Sequence, residues 1–232
     1  MMDAVSGDRW AQAFPWLART GRSLRLRELL AVAEAVHRDS AVLMRSLGKE
    51  DLARQAEMFA ARVRFDLDDP VAAQRLYGLA RDLREPSSRG SLLDKVLEGA
   101  LALSRAERGN VQILDPETGS LTIAAQHGFG AEFLDYFAVV DDAGAACGRA
   151  AAKRAQIVIA DVGADPGFEP HRDMAAASGF RAVQSTPLLD LAGRLVGVIS
   201  THYPRPYQPS GRDLTILKRY GELVGEAMAT RL

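Results

Sequence analysis

The chain has 232 residues, of which 47% are hydrophobic and 25% charged, the balance of a folded globular protein and not of a disordered one. Its 29 basic and 30 acidic side chains leave a formal net charge of −1, so no overall field selects nucleic acid or anionic lipid, and no run approaches the roughly 18 apolar residues of a membrane span. Cys147 is the sole cysteine, which excludes an intrachain disulfide and any multi-cysteine zinc site.

The start, Met1-Met2-Asp3, has neither a basic segment nor an apolar signal-peptide core, so a cytoplasmic protein is expected. Trp10, Phe14, Trp16 and Leu17 read as a short helix or turn that packs its aromatic rings on a helical bundle. Leu26, Leu29, Ala33, Val36, Ser40, Leu43 and Leu47 are spaced 3, 4, 3, 4, 3 and 4, which places them on one seam of a helix from about residue 23 to 47. Gly48 is its expected stop, since helix ends often need a left-handed residue. Leu52, Ala56, Phe59 and Val63 mark a second helix. Asp69-Pro70 reads as an N-cap with proline at the first helical position, opening a third helix with Ala72, Leu76, Leu79 and Leu83. Residues 1–85 are therefore expected to be all-helical, and Pro86-Ser-Ser-Arg-Gly90 is the expected boundary to a second domain.

Beyond the boundary, Ser91-Leu-Leu-Asp94 resembles a capping box before a stripe of Leu93, Val96, Leu97, Ala100 and Leu101. Val111 to Ala125 alternates on either side of Asp115-Pro-Glu-Thr-Gly119, a hairpin signature. Residues 131–138 and 145–154 read as short helices, 157–159 as a brief strand, and 161–179 as a loop with one helical turn near Met174. Arg181–Leu189 and Arg194–Tyr203 make a second hairpin around Asp190-Leu-Ala-Gly193. Ser210 caps a last helix with the stripe Leu214, Leu217, Gly221, Val224 and Met228. That order builds an antiparallel sheet flanked by helices, an α+β domain.

In this order and at these intervals, five segments resemble the GAF domain family, the small-molecule sensor module of many bacterial signalling proteins. They are Arg108-Gly-Asn-Val-Gln-Ile-Leu-Asp115-Pro-Glu-Thr-Gly119, Ala146-Cys-Gly-Arg149-Ala, Val158-Ile-Ala-Asp161-Val, Ala182-Val-Gln-Ser-Thr-Pro-Leu188 and Gly193-Arg-Leu-Val-Gly197-Val-Ile-Ser-Thr201. The resemblance covers about residues 88–232. It implies a six-stranded antiparallel sheet with the first and last helices on one face and a ligand cavity on the other, under the long loop. Residues 1–85 resemble no family.

On that fold the expected lining is Val158 and Asp161, then Phe168, His171, Arg172 and Met174 of the loop, then Gln184 and Thr186, with Thr201 and Tyr203 on the last strand. This mixture of apolar and hydrogen-bonding groups suits a small organic ligand better than a metal. Arg172 or Arg181 could pair an anionic group, though each reads first as a solvated surface charge. Cys147 stands in a segment similar to that of one catalytic branch, the free methionine-(R)-sulfoxide reductases, which use several cysteines; here a second is missing, so Cys147 reads first as a buried structural residue and only second as a redox candidate. The Cys-His pair of bilin attachment and the Asn-Lys…Phe…Asp-Glu signature of cyclic-nucleotide binding are absent. His127 and His171 are the two haem-ligand candidates, each reading first as a solvated or loop-bonded histidine, and the cofactor stays unknown. His37 reads as a helix-surface residue. The Asp66–Pro70 turn carries carboxylates that would meet DNA phosphates, against a DNA-binding helix-turn-helix.

The sequence therefore predicts a non-catalytic cytoplasmic sensor, homodimeric through the Leu26–Leu47 seam and the Leu214–Met228 stripe, with an unknown small-molecule ligand. With no output segment after Leu232, it would pass its signal to a protein partner in trans, without nucleic acid or membrane. Two alternatives stand beside it: a thiol-dependent reductase using Cys147, and a dimerisation scaffold with a filled cavity.

Overall fold

A computed structural model describes residues 26–84, 88–140 and 144–230. The expected aromatic turn at Trp10–Leu17, and residues 86–87 of the boundary, lie outside the described residues. Among the described residues three helices come first: α1 (Leu26–Ser46), α2 (Glu50–Asp68) and α3 (Pro70–Arg84). Gly48 does take a left-handed conformation, with φ +68°, between α1 and α2. Asp69 Oδ1 accepts from the Ala72 N–H at 3.1 Å, the cap that Asp-Pro announces.

The fourth helix, α4 (Arg89–Ser104), begins earlier than its sequence suggested. Ser88, not Ser91, is the N-cap, its hydroxyl accepting from Ser91 N–H at 3.2 Å. The order then runs β1 (Arg108–Leu114), β2 (Leu121–His127), α5 (Ala131–Tyr136), β3 (Val139–Val140), α6 (Ala146–Lys153) and β4 (Ile157–Ile159). A 3-10 helix (Pro166–His171), α7 (Arg172–Ala177), β5 (Ala182–Leu189), β6 (Leu195–Tyr203) and α8 (Gly211–Ala229) complete it. The loop at 161–179 thus holds two helical pieces instead of one turn, because Asp165 caps the first by accepting from Phe168 N–H at 2.9 Å. Ser210 caps α8 as its sequence indicated.

The six strands form one antiparallel sheet in the order β3-β2-β1-β6-β5-β4. Neighbouring residues on a strand face opposite sides, and the register makes the division explicit. Val111 and Ile199 are cross-strand partners and join a core with Leu92, Leu97, Leu217, Tyr220 and Val224 of α4 and α8. Val183 and Val198 face the other way and join a second core with Phe133, Phe137, Phe168 and Phe180. The sheet is buried on both sides.

The first core continues past the chain's boundary segment: Phe65, Leu76 and Leu83 of α2 and α3 pack into it. Arg62 of α2 is flanked by Glu222 (3.6 Å) and Glu226 (3.3 Å) of α8, and Arg212 of α8 binds Asp69 at 2.7 Å. The stripe of α8 at Leu217, Val224 and Met228 is consumed inside the chain, so it does not offer the dimer surface expected of it. The seam of α1 is different. Val36, Leu43 and Leu47 are each more than half exposed. No described helix is long and apolar enough to cross a membrane.

Candidate functional site

On the side of the sheet away from α4 and α8, β1, β5 and β6 present polar side chains where a core would normally be apolar. Asn110 pairs in register with Ser200, and Ser200 with Ser185, whose hydroxyls lie 2.8 Å apart. Gln112 and His202 stand on the same face, one residue-pair away in each direction. A bulge sits beside Gln112: β2 places an extra residue, Ala124, between the partners of Val111 and Gln112. Above this polar floor lies an aromatic roof. Phe133 and Phe137 come from α5 and the residue after it, Phe168 from the 3-10 helix, and Phe180 from the entry to β5. Cys147 and Ala145 come from the start of α6.

Floor and roof enclose a cavity of about 20 Å³, room for one water-sized group. Beside it lies a second space of about 170 Å³, bordered by Tyr136, Phe137, Val139, Val140, Ala145 and His171. Phe137 and Ala145 border both, so they form the partition between an inner and an outer chamber.

The floor is poorly satisfied. Asn110 Oδ1, both terminal atoms of Gln112, and His202 Nδ1 are buried without a hydrogen-bond partner in the protein. Gln112 is fully buried. Each such atom costs about 1–3 kcal/mol relative to a satisfied one. His202 packs edge-on against Phe129, Phe133 and Phe180 with ring centroids 4.7–5.9 Å apart. Burial in this apolar cage, followed by the charge of Arg108, pushes its pKa down to about 3. The imidazole is neutral at physiological pH.

An ion pair ties the roof down. Arg149 of α6 grips Asp165 through two bonds of 2.9 and 3.1 Å and donates to the Gly144 carbonyl at 2.9 Å. A side chain at Gly167 would collide with that guanidinium at 2.6 Å, which is why glycine stands there. Arg149 holds the Asp165 carboxyl below the usual carboxylate range. Replacing Arg149 with methionine is expected to cost about 2 kcal/mol at pH 7. Asp165 has the lower pKa when folded, so the pair contributes above the unfolded value near 3.8 and is lost as pH falls through the folded one. Urea unfolding at pH 7 and at pH 2.5 checks this: the gap between wild type and variant should narrow at the lower pH.

The residues expected to line the cavity are placed as follows. Phe168 does line it. His171 borders the outer chamber, its Nδ1 3.0 Å from the Tyr136 hydroxyl. Met174 packs against the aromatic core without reaching either space. Arg172 is occupied by the carbonyls of Val162 and Asp165, and Asp161 by Arg181 at 2.8 Å on the surface. Val158, Gln184, Thr186, Thr201 and Tyr203 lie on the opposite face of the sheet. Val158 and Thr201 are the register partners of Gln184, Thr186 packs on Gly221 of α8, and the Tyr203 hydroxyl donates to the Ser104 carbonyl at the end of α4. The correction is a shift of one residue: Val183, Ser185, Ser200 and His202 occupy the places given to their neighbours. Asn110, Gln112, Phe133 and Phe137 are further lining residues that the sequence pattern did not reveal.

His127 is exposed at the end of β2, and His37 stacks on Phe59 at 5.4 Å. Among the described residues no group of three or more His, Cys, Asp or Glu side chains is placed to hold a metal ion.

A family model described as GAF domain matches residues 86–229. No curated protein sequence matches the chain. Among solved structures, the GAF domain of a phosphoenolpyruvate-protein phosphotransferase from Coxiella burnetii is similar at 12% identity and a TM-score of 0.59, over 68% of this chain and 93% of that one. The free methionine-R-sulfoxide reductase of Neisseria meningitidis, in complex with its substrate, is similar at 17% identity and a TM-score of 0.56, over 70% of this chain and 90% of that one. A GAF domain from A. aeolicus in an inactive state is similar at 17% identity and a TM-score of 0.54, over 69% and 97%. At these identities the likeness is one of fold.

Proposed function

Because the chain belongs to the GAF domain family, we propose that it is a non-catalytic sensor that binds a small molecule between the polar floor and the aromatic roof. The observation that carries this reading is the row of partnerless polar atoms on Asn110, Gln112 and His202 beneath an aromatic roof. A scaffold would gain stability by filling these positions with apolar side chains; a receptor keeps them for a guest. The inner chamber is too small for an organic ligand with Phe137 in its present position, so binding moves Phe137 and joins the two chambers. A ligand shifts such an arrangement only by its differential affinity for the open and closed forms.

Residues 88–232 are the sensing unit in this proposal, and residues 1–85 the interaction region. Occupancy passes from β5 to α8, which lies against that strand at Gly221 and Gly225, and then through Glu222 and Glu226 to Arg62 of α2. The exposed Val36, Leu43 and Leu47 of α1 support a homodimer; a cytoplasmic location and a protein partner in trans complete the proposal. Native mass spectrometry of gently purified protein tests the receptor reading. A co-purified mass that is lost on denaturation is expected; a bare chain, unchanged by incubation with cell extract metabolites, would contradict it.

A second reading has one observation in its favour, the position of Cys147 on the cavity wall. A thiol-dependent reductase would use it as nucleophile and an external thiol for the resolving step. Turnover of free methionine-(R)-sulfoxide in an NADPH-coupled assay would establish that reading in place of the first.

A further inference from the structure

Among the described residues, no Asp, Glu, Lys or Arg lines the inner cavity. In the roof, Arg149 is engaged by Asp165 and the Gly144 carbonyl, and at the start of α6 Ala145 and Cys147 already have partners. His202 is neutral, caged by phenylalanines. An ionised guest would lose its hydration and meet no countercharge among the described residues that line the inner cavity, a cost of several kcal/mol. A purely apolar guest would leave the floor as unsatisfied as it is now.

The floor offers donors and acceptors together. A carboxamide presents one carbonyl acceptor and one NH₂ donor whichever way it is turned. The idle atoms are an acceptor on Asn110 and both a donor and an acceptor on Gln112. The walls that face them are flat rings from α5, the 3-10 helix and the entry to β5. The outer chamber, about 170 Å³, is of the size that admits a single six-membered ring, since a cavity of about 150 Å³ takes benzene.

We propose that the site is selective for small, uncharged, planar molecules whose edge alternates hydrogen-bond donors and acceptors: aromatic amides, cyclic imides and related heterocycles. With Phe137 displaced and the two chambers joined, the ring lies across them against Phe133, Phe137 and Phe168, and the amide edge pairs with Asn110 and Gln112. Selectivity comes from what the cavity omits as much as from what it contains. This inference rests on the receptor reading above and adds the ligand's chemical class.

Thermal shift and titration calorimetry on the full chain test it with defined probes: nicotinamide and uracil, their carboxylated counterparts nicotinate and orotate, and toluene. The expected result is a rise in Tm with nicotinamide or uracil, at least tenfold weaker binding of the carboxylates and of toluene, and loss of the neutral-probe response in Asn110→Leu. Gln112→Leu serves as the second variant should the first not fold. Equal or tighter binding of a carboxylate overturns the neutral-ligand class while leaving the receptor intact, and equal binding of toluene overturns the role of the floor. Silence toward both neutral probes also overturns the class; the receptor itself stands or falls separately, on the co-purified mass.

Discussion

Gly225→Ala is expected to destabilise the protein by about 3 kcal/mol, and Gly225→Val to leave no folded chain at 25 °C. In an exposed helix the alanine change would stabilise by roughly 1 kcal/mol, because glycine is the poorer helix former. Here the added methyl would stand 2.6 Å from the backbone N and C of Leu189 and closer still to its carbonyl oxygen. Backbone cannot rotate away as a side chain can, so α8 would have to lift off β5. Gly221, one turn earlier, has the same relation to the Pro187 carbonyl at 3.0 Å. Gly78 in α3 is the control: nothing lies within 4 Å of its added Cβ, and Gly78→Ala should stabilise. Chemical denaturation of the three variants checks the sign as well as the size. A stabilised Gly225→Ala would mean that α8 and β5 are not in contact as described.

His202 is expected to make the protein acid-sensitive well above the range in which carboxylates titrate. Its pKa is about 3 in the folded chain and 6.5 when unfolded. The unfolded chain therefore binds a proton across that window and the folded chain does not. The histidine's contribution is complete above pH 6.5 and declines as pH falls, by about 1.4 kcal/mol per unit until about pH 3. Between pH 7.5 and pH 4.5 the wild type should lose about 3 kcal/mol from this group. In His202→Phe, which keeps an aromatic ring against Phe129 and Phe180, that component should vanish. Equilibrium unfolding at the two pH values, for both proteins, measures it. Parallel losses would show that His202 is not the buried neutral group described here.

Most of the order of helices and strands was legible because those elements carried local signals of their own: Asp69-Pro70, Ser210, the two hairpin turns, the glycine at 48. Two boundaries were displaced by competing caps. Ser91 resembles a capping residue, but Ser88 sits where the free N–H groups are; Asp165 organises a 3-10 helix within a stretch rich in glycine and proline. The two-residue β3 carries too little pattern to be read.

The face of each central strand was not legible, for a physical reason. Alternation reveals a strand's inner side when the other side is wet, and β5 and β6 are buried on both. Gln184 and Thr186 against Val183 and Ser185 gives no clue to which pair faces the cavity, and the expected lining fell one residue out of step. Asn110 and Gln112 lay in plain view in β1 as polar residues between apolar ones, the usual mark of a solvent-facing row. Only the sheet's second cover, from α5, α6 and the 3-10 helix, turns that row into a buried floor.

The central claim is that this floor is kept for a guest and not for the fold. Unfolding of Gln112→Leu in urea, beside the wild type freed of any bound molecule by refolding, tests it most directly. Leucine is one atom shorter than the buried side chain and branched, so it fills most of its volume while removing two polar atoms that have no partner in the protein. The account predicts a variant more stable than the empty wild type by about 1–2 kcal/mol. A less stable variant would mean that Gln112 serves the folded structure itself, and would contradict the receptor.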